Sequence, residues 1–292
     1  MKTIRSPQAM NAWSERLRRE GVRIGLVPTM GALHDGHRAL IRSARLQCDA
    51  LVVSIFLNPT QFGPTEDLAK YPRPISKDRA LCRSEGVDIC FEPSVPAIYP
   101  VGFQTTVTVP DLARRWEGAA RPHHFGGVAT VVTKLFGIVG PHMAVFGQKD
   151  YQQVAIVRQV IADLNLNITL DVRPTVREPD GLAMSSRNVY LTPDQRRTAV
   201  ILHRALSAGR QAIAAGSDGT KAEELMRQVA REEPSVQVDY LAVCDAMTLE
   251  PLTQIDRDAV LLGAINIGSV RLIDNIVVKA PLRKRHELAR RP

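Results

Sequence analysis

Short apolar runs alternate with helical patterns along the first part of the chain. The runs at residues 24–27 and 50–57 lack the polar alternation of a half-exposed strand, so each predicts a buried parallel strand. Between them, apolar residues recur near helical spacing and predict a helix over residues 32–47. Further strands are predicted at residues 87–91, 104–109, 142–146 and 168–176. This alternation is typical of an α/β domain built on a parallel sheet.

The pattern changes after Glu178-Pro179-Asp180-Gly181, a turn-rich stretch that predicts a domain boundary. Beyond it, Thr192 and Pro193 supply the start of one helix that runs to about residue 215, with Gly216 after its end. Thr220 and Glu223 have the spacing of a capping box for a second helix. Strands of a small antiparallel sheet are predicted at residues 236–244, 259–267 and 270–278. We therefore predict two domains, residues 1–178 and residues 179–292, the second of α+β type.

Composition supports a protein with a sizeable buried core. The chain has 292 residues, of which 45% are hydrophobic, and this length favours two domains. The first residues lack the apolar core of a signal peptide, and the apolar runs are too short to span a bilayer, so we expect no membrane partner. The scattered cysteines have neither zinc-site nor disulfide spacing and predict reduced core residues of a cytoplasmic protein: Cys48, Cys82, Cys90 and Cys244.

The formal net charge of +8 leaves nucleic-acid binding as an alternative. Much of this charge lies in a basic tail that includes Lys279, Arg283, Lys284, Arg285, Arg290 and Arg291. A solvated tail explains it more simply, and anionic substrates also favour a basic protein. Aromatic residues are only 5% of the chain and do not alternate with basic ones, so we expect no nucleic-acid partner.

The chemistry of the chain is concentrated where the first buried strand meets the first predicted site helix. The strand is expected to stop at Pro28, which cannot donate to a ladder, and Gly31 permits a tight turn. His34 and His37 then lie three residues apart and are expected to share one face of the first helical turn. Unpaired backbone N–H groups and the helix dipole at that turn would form an anion site, and neutral imidazoles can add donors to it.

Two surface histidines on an ordinary helix are the simpler interpretation of this stretch. The order of strand, glycine and histidines favours a phosphate site instead. His34-Asp35-Gly36-His37 resembles the H-x-G-H signature of the nucleotidyl-transferase superfamily, which includes class I aminoacyl-tRNA synthetases.

A second group of polar residues follows the strand at residues 50–57. Asn58 and Gln61 stand where ligands bind in open α/β sheets, beyond the carboxyl end of a strand. A glutamine amide can both donate and accept, so Gln61 could read a hydroxyl and a carboxylate together. Turn chemistry at Asn58-Pro59 is the alternative, and it accounts for Asn58 better than for Gln61.

The strand at residues 142–146 ends in a third group, Gly147-Gln148-Lys149-Asp150. Lys149 supplies a point charge for a phosphate, and Asp150 could orient Lys149 or hold Mg²⁺ through water. Gln153 is expected to face the same pocket as Lys149 at helical i, i+4 spacing. A charged helix start would explain Asp150, but it explains Lys149 poorly because a cation is unfavourable near a helix N-terminus.

Met184-Ser185-Ser186-Arg187 forms a fourth group after the predicted boundary. Two hydroxyls and a guanidinium can surround β- and γ-phosphates, although an isolated stretch of this kind could be a polar loop. It resembles the K-M-S-K-S signature of the same superfamily, with Arg187 in place of the second lysine.

Five blocks in order across nearly the whole chain resemble the pantothenate synthetase (pantoate–β-alanine ligase) family: VPTMGALHDGH, FLNPTQFGPTEDLAKYPR, HFGGVATVVTKLF, FGQKDYQQ and DGLAMSSRNVYLTP. The resemblance implies ATP-dependent condensation of (R)-pantoate with β-alanine through a pantoyl adenylate, with release of AMP and pyrophosphate. It also implies Mg²⁺, a cytoplasmic homodimer, a Rossmann-like N-terminal domain with helices on both faces of the sheet, and a smaller C-terminal lid domain.

The resemblance also assigns residues. It implies ATP contacts at Met30, Gly31, Ala32, Leu33, His34, Asp35, Gly36, His37, Gly147, Gln148, Lys149, Asp150, Val176, Met184, Ser185, Ser186 and Arg187. Gln61 would bind pantoate and lie near β-alanine, and Gln153 would bind pantoate, with Asn58 as a further substrate residue. We expect His34, His37, Lys149 and Arg187 to act in catalysis. No direct side-chain metal ligand is assured.

The family designates His37 as a proton donor. Adenylation of a carboxylate needs positioning and charge neutralisation rather than a strong base, so stabilisation of phosphate charge explains its position better.

Two other functions remain as alternatives. An adenylyltransferase on this fold would join a nucleotide to a phosphate and release a dinucleotide-like product. An RNA-binding module descended from a synthetase would bind RNA in a strongly salt-dependent way without nucleotide turnover.

Overall fold

A computed structural model describes residues 1–64 and 66–280. The basic residues of the predicted tail from Arg283 onward lie outside the described residues. The chain forms two compact units, of which the first contains Met1–Gln148 and Gln152–Val176. The second contains Lys149–Tyr151 and the described residues from Arg177 onward.

A six-stranded parallel sheet forms the centre of the first unit, in the order β1-β4-β3-β2-β5-β6. Its strands are β1 (Lys2–Ile4), β2 (Ile24–Thr29), β3 (Ala50–Ile55), β4 (Ile89–Phe91), β5 (Met143–Gly147) and β6 (Thr169–Arg173). The predicted α/β class is confirmed, including strands buried on both faces. The edge strand β1 was not predicted from the sequence because three residues carry too short a pattern.

Helices flank this sheet, and the described ones are α1 (Pro7–Arg19), α2 (Asp35–Arg45), α3 (Ile75–Ser84), α4 (Val95–Ile98), α5 (Pro110–Ala113), α6 (Glu117–Ala120), α7 (His124–Val139) and α8 (Tyr151–Asp163). Short 3₁₀ turns at Pro59–Gln61 and Gln148–Asp150 follow β3 and β5. The side of α2 facing the sheet packs Ile41 and Ala44 against Val27 and Val145 in one apolar cluster. That packing fixes the position of α2 relative to the ends of β2 and β5.

The strand β2 does not stop at Pro28 as predicted but continues to Thr29, with Pro28 opposite Ser54 of β3. Thr29 O accepts a bond from Phe56 N at 3.0 Å, so the backbone groups of Pro28 face the opposite side of the strand. The ladder to β5 has already ended there at Leu26. The missing N–H of Pro28 therefore leaves no ladder bond unmade.

The strand predicted at residues 104–109 is wrong for the described chain, where this stretch pairs with no described strand. Val107 links this stretch to α7, because its N–H donates to Thr130 Oγ1 at 3.0 Å. Alternation of apolar and polar residues is compatible with a strand, but a ladder also requires a neighbouring strand.

The second unit is built on a three-stranded antiparallel sheet of β7 (Val236–Asp245), β8 (Ala259–Ile267) and β9 (Val270–Val278). Three described helices accompany it, α9 (Pro193–Thr198), α10 (Ile201–Ala214) and α11 (Gly219–Ala230), and a 3₁₀ turn covers Ser186–Tyr190. The apolar core lies between α10, α11 and the sheet, around residues such as Leu206, Met226 and Leu261. The predicted antiparallel sheet is confirmed.

Two details of the helices differ from expectation. The predicted single helix after Thr192 is divided at Ala199 and Val200 into α9 and α10. The capping box predicted at Thr220 is wrong, because Asp218 caps α11 by accepting from Lys221 N at 2.8 Å. Glu223 instead accepts from Val243 N of β7 at 2.8 Å. Asp218 lies two residues before Thr220 and is as good an N-cap residue. Because Glu223 binds β7 instead of the helix start, Asp218 is the cap.

No described helix is long and apolar enough to cross a bilayer.

Candidate functional site

The polar groups of the first unit gather at a topological switch point. The chain runs from β2 to β3 and β4 on one side, while β5 and β6 lie on the other side of β2. Ligands of open parallel sheets bind outside the carboxyl ends of strands at such a point. In this unit the predicted chemistry lies in the stretches after β2 and β3 and in Gly147 and Gln148 at the end of β5.

The turn after β2 is shaped by side chains that bind its backbone. Thr29 Oγ1 accepts from Gly31 N at 3.2 Å. The carboxylate of Asp78 on α3 accepts from Ala32 N at 3.0 Å and from Leu33 N at 2.8 Å. Gly31 and Ala32 both have positive φ, 85° and 52°, a conformation that is costly for the alanine. This turn therefore depends on Asp78, a residue that is far away in the sequence.

The two signature histidines cap the helix reciprocally. His34 is the N-cap of α2 and its Nδ1 accepts from Gly36 N at 3.1 Å, while His37 Nδ1 accepts from His34 N at 3.3 Å. Their ring centroids lie 4.2 Å apart. Since each Nδ1 accepts a backbone proton, the proton of each neutral ring is on Nε2. Each imidazole is thereby held as an Nε2–H donor.

The prediction that α2 starts near Ala32 and carries His34 in its first turn is therefore wrong in detail. The helix starts at Asp35, and reciprocal capping rather than helical i, i+3 spacing brings the two rings together.

The predicted anion site of unpaired backbone N–H groups is also wrong for much of this turn. In the described structure the protein itself satisfies the N–H groups of Gly31, Ala32, Leu33, His34 and Gly36. The sequence pattern shows where a helix begins but not which side chains reach its first N–H groups. An anion at this turn would meet imidazole donors more than backbone donors.

After β3, Asn58 is buried and all its polar capacity is used inside the protein. Its Oδ1 accepts from Tyr99 Oη at 2.8 Å and from Thr60 Oγ1 at 3.0 Å. Its Nδ2 donates to Gln61 Oε1 at 3.1 Å and to Gly127 O at 3.2 Å. Two hydroxyl donors on Oδ1 fix which way the amide faces. Asn58 therefore orients Gln61.

Gln61 is 6% exposed, and its side-chain orientation follows from that of Asn58. Its Oε1 is the acceptor for Asn58, and its Nε2 lies 3.3 Å from Met30 Sδ. The amide thus directs its donor toward Met30, at the turn after β2. The structure brings together the predicted pantoate residue Gln61 and the predicted nucleotide residue Met30.

The backbone of Gln61 is held by the start of α7. His124 Nδ1 donates to Gln61 O at 2.9 Å, because its Nε2 faces the guanidinium of Arg121, which can only donate. Gly127 lets α7 approach this turn closely, since a Cβ there would lie 2.5 Å from Thr60 O. Burial, and secondarily the charge of Arg121, lower the pKa of His124 to about 4.

This neutral histidine predicts a specific pH dependence of stability. The unfolded chain binds a proton near pH 6.5 and the folded chain only near pH 4, so the contribution is complete above pH 6.5 and is lost as the pH falls toward 4. We expect the free energy of unfolding to drop by roughly 3 kcal/mol more in the native chain than in His124→Gln over this range. Urea titrations at several pH values measure it. Parallel profiles of unfolding free energy against pH in the two proteins would contradict the lowered pKa of His124. The carboxylates contribute equally to both profiles, because both proteins have the same ones.

At the end of β5, Gly147 lies beside α2, since a Cβ there would stand 3.8 Å from Leu40 Cδ1. The next residues form the 3₁₀ turn Gln148–Asp150 before α8 begins at Tyr151. The predicted helical i, i+4 relation between Lys149 and Gln153 is therefore wrong, because Lys149 precedes the α-helix. Gln153 is partly buried on α8, and its neighbour Gln152 is buried in bonds to the backbone of Leu112, Arg115 and Glu117.

Lys149, Asp150 and Tyr151 belong to the second unit, which holds them by two bonds. Asn275 Nδ2 on β9 donates to Lys149 O at 2.8 Å, and Tyr151 Oη donates to Ala246 O at 2.8 Å. Lys149 Nζ lies 3.6 Å from Asp150 Oδ1, within ion-pair distance. The backbone of Lys149 is thus held by β9, and its ammonium group lies beside a carboxylate.

The fourth group occupies a turn that packs against the same strand, β9. Ser185 Oγ accepts from Arg187 N at 3.2 Å, and Ser186 begins the 3₁₀ turn that continues to Tyr190. Asn188 Nδ2 donates to Ala183 O at 3.1 Å and closes the loop. The strand β9 therefore contacts both the Lys149 backbone and the serine–arginine turn. Val176 ends the first unit one residue before Arg177 begins the second.

Among the described residues, no group of three or more His, Cys, Asp or Glu side chains could hold a metal ion. Mg²⁺ commonly keeps several waters and binds through one or two carboxylates plus substrate phosphates. The half-exposed carboxylate of Asp150 beside Lys149 fits that arrangement.

Comparison with known proteins identifies the family of the chain. The family model for pantoate–β-alanine ligase matches residues 2–277. The chain belongs to the pantoate–β-alanine ligase family. This ligase is 50% identical over 281 residues to a pantothenate synthetase of Koribacter versatilis, with 96% of this chain and 97% of the relative covered. It is 48% identical to one of Moorella thermoacetica, with 96% and 99% covered.

Solved structures agree with the fold of the ligase. The crystal structure of pantothenate synthetase from Thermus thermophilus has a TM-score of 0.91 at 45% identity, covering 94% of this chain and 99% of that one. A pantoate–β-alanine ligase from Francisella tularensis, described as complexed with β-γ ATP and β-alanine, has a TM-score of 0.78 at 34% identity, covering 95% and 97%.

Sequence reasoning missed four residues that shape the site: Asp78, Tyr99, His124 and Asn275. Each acts on another residue from an element distant in sequence. For Asn275 the available signal was the polar pair Asp274-Asn275 within the largely apolar strand β9.

Proposed function

We propose that this ligase condenses (R)-pantoate with β-alanine, using ATP and releasing AMP and pyrophosphate. The observation that carries the proposal is the family match over residues 2–277. The turn after β2 at residues 31–37, called the histidine turn below, keeps both signature histidines. The substrates are those of the family.

The first step is an in-line displacement at the α-phosphorus of ATP. A pantoate carboxylate oxygen forms the new bond, and the bond to the bridging oxygen of pyrophosphate breaks. Gln61 suits the carboxylate because its amide donor is held by Asn58 and carries no charge that would reduce nucleophilicity. We propose that Gln61 binds pantoate and lies near β-alanine, with Gln153 as a second pantoate contact and Asn58 as the residue that orients Gln61.

The histidine tautomers support charge stabilisation rather than proton donation. Each Nδ1 is used in capping α2, so Nε2–H is the donor that each ring offers. Giving up that proton would leave an imidazolate, whereas donating a hydrogen bond keeps the ring neutral. We infer that His34 and His37 stabilise the charge that develops on the phosphates.

We also propose the remaining nucleotide contacts that the resemblance implies. In the first unit we assign Met30 to His37, Gly147, Gln148 and Val176 to ATP, and in the second unit Lys149, Asp150 and Met184 to Arg187. Lys149 and Arg187 supply positive charge for the phosphates. The division predicted at residue 178 would make the second unit the lid. Mg²⁺ would accompany ATP, with Asp150 as its contact through water, and would neutralise phosphate charge.

The second step joins β-alanine to the acyl adenylate. Its amine attacks the acyl carbon and AMP leaves with the former carboxylate oxygen. No strong base is required once the amine is placed, because AMP is a good leaving group.

We further propose a homodimer in the cytoplasm.

Product analysis with ATP, pantoate and β-alanine tests the proposed function. We expect pantothenate, AMP and pyrophosphate in equal amounts. ADP and phosphate would remove the adenylate mechanism, and a dinucleotide-like product would indicate an adenylyltransferase.

Replacing Gln61 with alanine is expected to weaken pantoate binding at least tenfold, because the amide donor is lost. ATP affinity should change little, since Gln61 takes part in none of the hydrogen bonds that shape residues 31–37. Calorimetric titration of each substrate measures both affinities. The exposed Gln159→Ala on α8 is the matched control. Loss of ATP binding with pantoate binding intact would reassign Gln61 to the nucleotide.

A further inference from the structure

Asp78 has no assigned role, yet it is the most buried charged group beside the histidine turn. It lies in the first turn of α3 and is 2% exposed. Both of its carboxylate oxygens are used, Oδ2 by Ala32 N at 3.0 Å and Oδ1 by Leu33 N at 2.8 Å. A carboxylate in this position binds two consecutive peptide units of one loop.

The loop that Asp78 binds is the one with unfavourable backbone geometry. Gly31 and Ala32 both have positive φ, and a Cβ on Gly31 would lie 3.1 Å from Asp78 Oδ2. The glycine therefore allows the close approach, and the two hydrogen bonds hold Ala32 in a conformation that it adopts rarely. Leu33 leads directly into His34, the N-cap whose ring contacts His37.

The two N–H donors favour the charged form of Asp78, whereas burial disfavours it. Burial, followed by the effect of nearby Glu92, raises the pKa of Asp78, while the N–H groups of Leu33 and Ala32 oppose this rise. Its place in the first turn of α3 favours a carboxylate there as well. The same two bonds also occupy the Ala32 and Leu33 N–H groups, so these groups are not offered to an anion.

We propose that Asp78 is a positioning residue for the adenylation step. By holding residues 31–33 it sets where the imidazoles of His34 and His37 stand, and by occupying two N–H groups it leaves the imidazoles as the phosphate donors. This inference rests on the proposed function, because adenylation is the step it serves.

The test compares Asp78→Ala, Asp78→Asn and the control Asp88→Ala. Asp88 also binds a backbone N–H of this unit, that of Leu51 at 2.7 Å, but at the amino ends of the strands. Each variant is assayed for pantoate-dependent exchange of pyrophosphate into ATP and for reaction of supplied pantoyl adenylate with β-alanine. Hydrogen exchange at the Ala32 and Leu33 amides is followed separately.

We expect Asp78→Ala to slow pyrophosphate exchange by about 10- to 100-fold, with aminolysis of supplied adenylate nearly unchanged. Asp78→Asn keeps one acceptor and should fall between Asp78→Ala and the native protein. In both variants the Ala32 and Leu33 amides should exchange faster with solvent. Asp88→Ala should keep the native exchange of pyrophosphate.

Native pyrophosphate exchange in folded Asp78→Asn, or equal loss in both half-reactions, would overturn the positioning role. The Asn variant decides the matter if Asp78→Ala fails to fold. A native protein that exchanges no pyrophosphate would refute the proposed function instead, and faster amide exchange in the variants would still report the hold of Asp78 on the turn.

Discussion

Replacing His37 with alanine is expected to slow adenylate formation by about 10²–10³-fold, the usual cost of losing one preorganised donor to developing charge. His37 Nδ1 accepts from His34 N, so the substitution removes the phosphate donor and also half of the reciprocal cap. The ring of His34 should lose its fixed position as well. Aminolysis of supplied pantoyl adenylate should be affected much less, because no pyrophosphate leaves in that step.

The measurement is single-turnover formation of AMP-linked product from ATP and pantoate, alongside the aminolysis assay. His34→Ala should give a loss of similar size, and the double variant should lose less than the product of the two, because the rings act as a unit. His123→Ala is the control, since His123 is exposed in the same unit. Normal turnover in a folded His37→Ala protein would exclude this role for the imidazole.

Replacing Arg187 with alanine is expected to depress pyrophosphate release by a similar factor, about 10²–10³-fold, because negative charge builds on the departing group. The turn that carries Arg187 is closed by Ser185 and Asn188, so the substitution should leave the loop in place. Chemically supplied pantoyl adenylate should still react with β-alanine on the variant. Arg197→Ala, an exposed arginine of α9, is the matched control.

Isotope labelling gives the same experiment a second readout. Heavy oxygen placed in the pantoate carboxylate must appear in the phosphate of AMP if the carboxylate is the nucleophile. Label that stays wholly in pantothenate and water would exclude the adenylate. If an Arg187 variant is impaired only in the reaction of supplied adenylate with β-alanine, this arginine acts in aminolysis and the prediction is wrong.

Local pattern was sufficient for most of the secondary structure. The apolar runs predicted β2, β3 and β5 because a strand covered on both faces is apolar at every position. The start of α9 followed from Thr192 and Pro193, whose cap chemistry is complete within four residues. The errors arose where two local solutions were equally good, as with Asp218 and Thr220 at α11.

The sequence by itself also determined the class of site. The histidine turn, the lysine turn and the serine–arginine turn each keep their chemistry within a few consecutive residues, so their order along the chain was enough to indicate the family. The sheet order then brought the stretches after β2, β3 and β5 to neighbouring strand ends. The order of the motifs required no knowledge of a distant contact, whereas the sheet order depends on pairing between strands that are distant in sequence.

Only the tertiary structure decided how the site groups are oriented. The N–H groups of Ala32 and Leu33 were expected to be open but are bound by Asp78, 46 and 45 residues away. The donor direction of Gln61 depends on Tyr99 through Asn58. A buried polar group must find a partner, but which partner it finds depends on the elements that pack beside it. Hydrophobic periodicity does not show which elements pack together until the whole sheet has formed. The sequence therefore identified the reacting groups, and the fold set their hydrogen bonds.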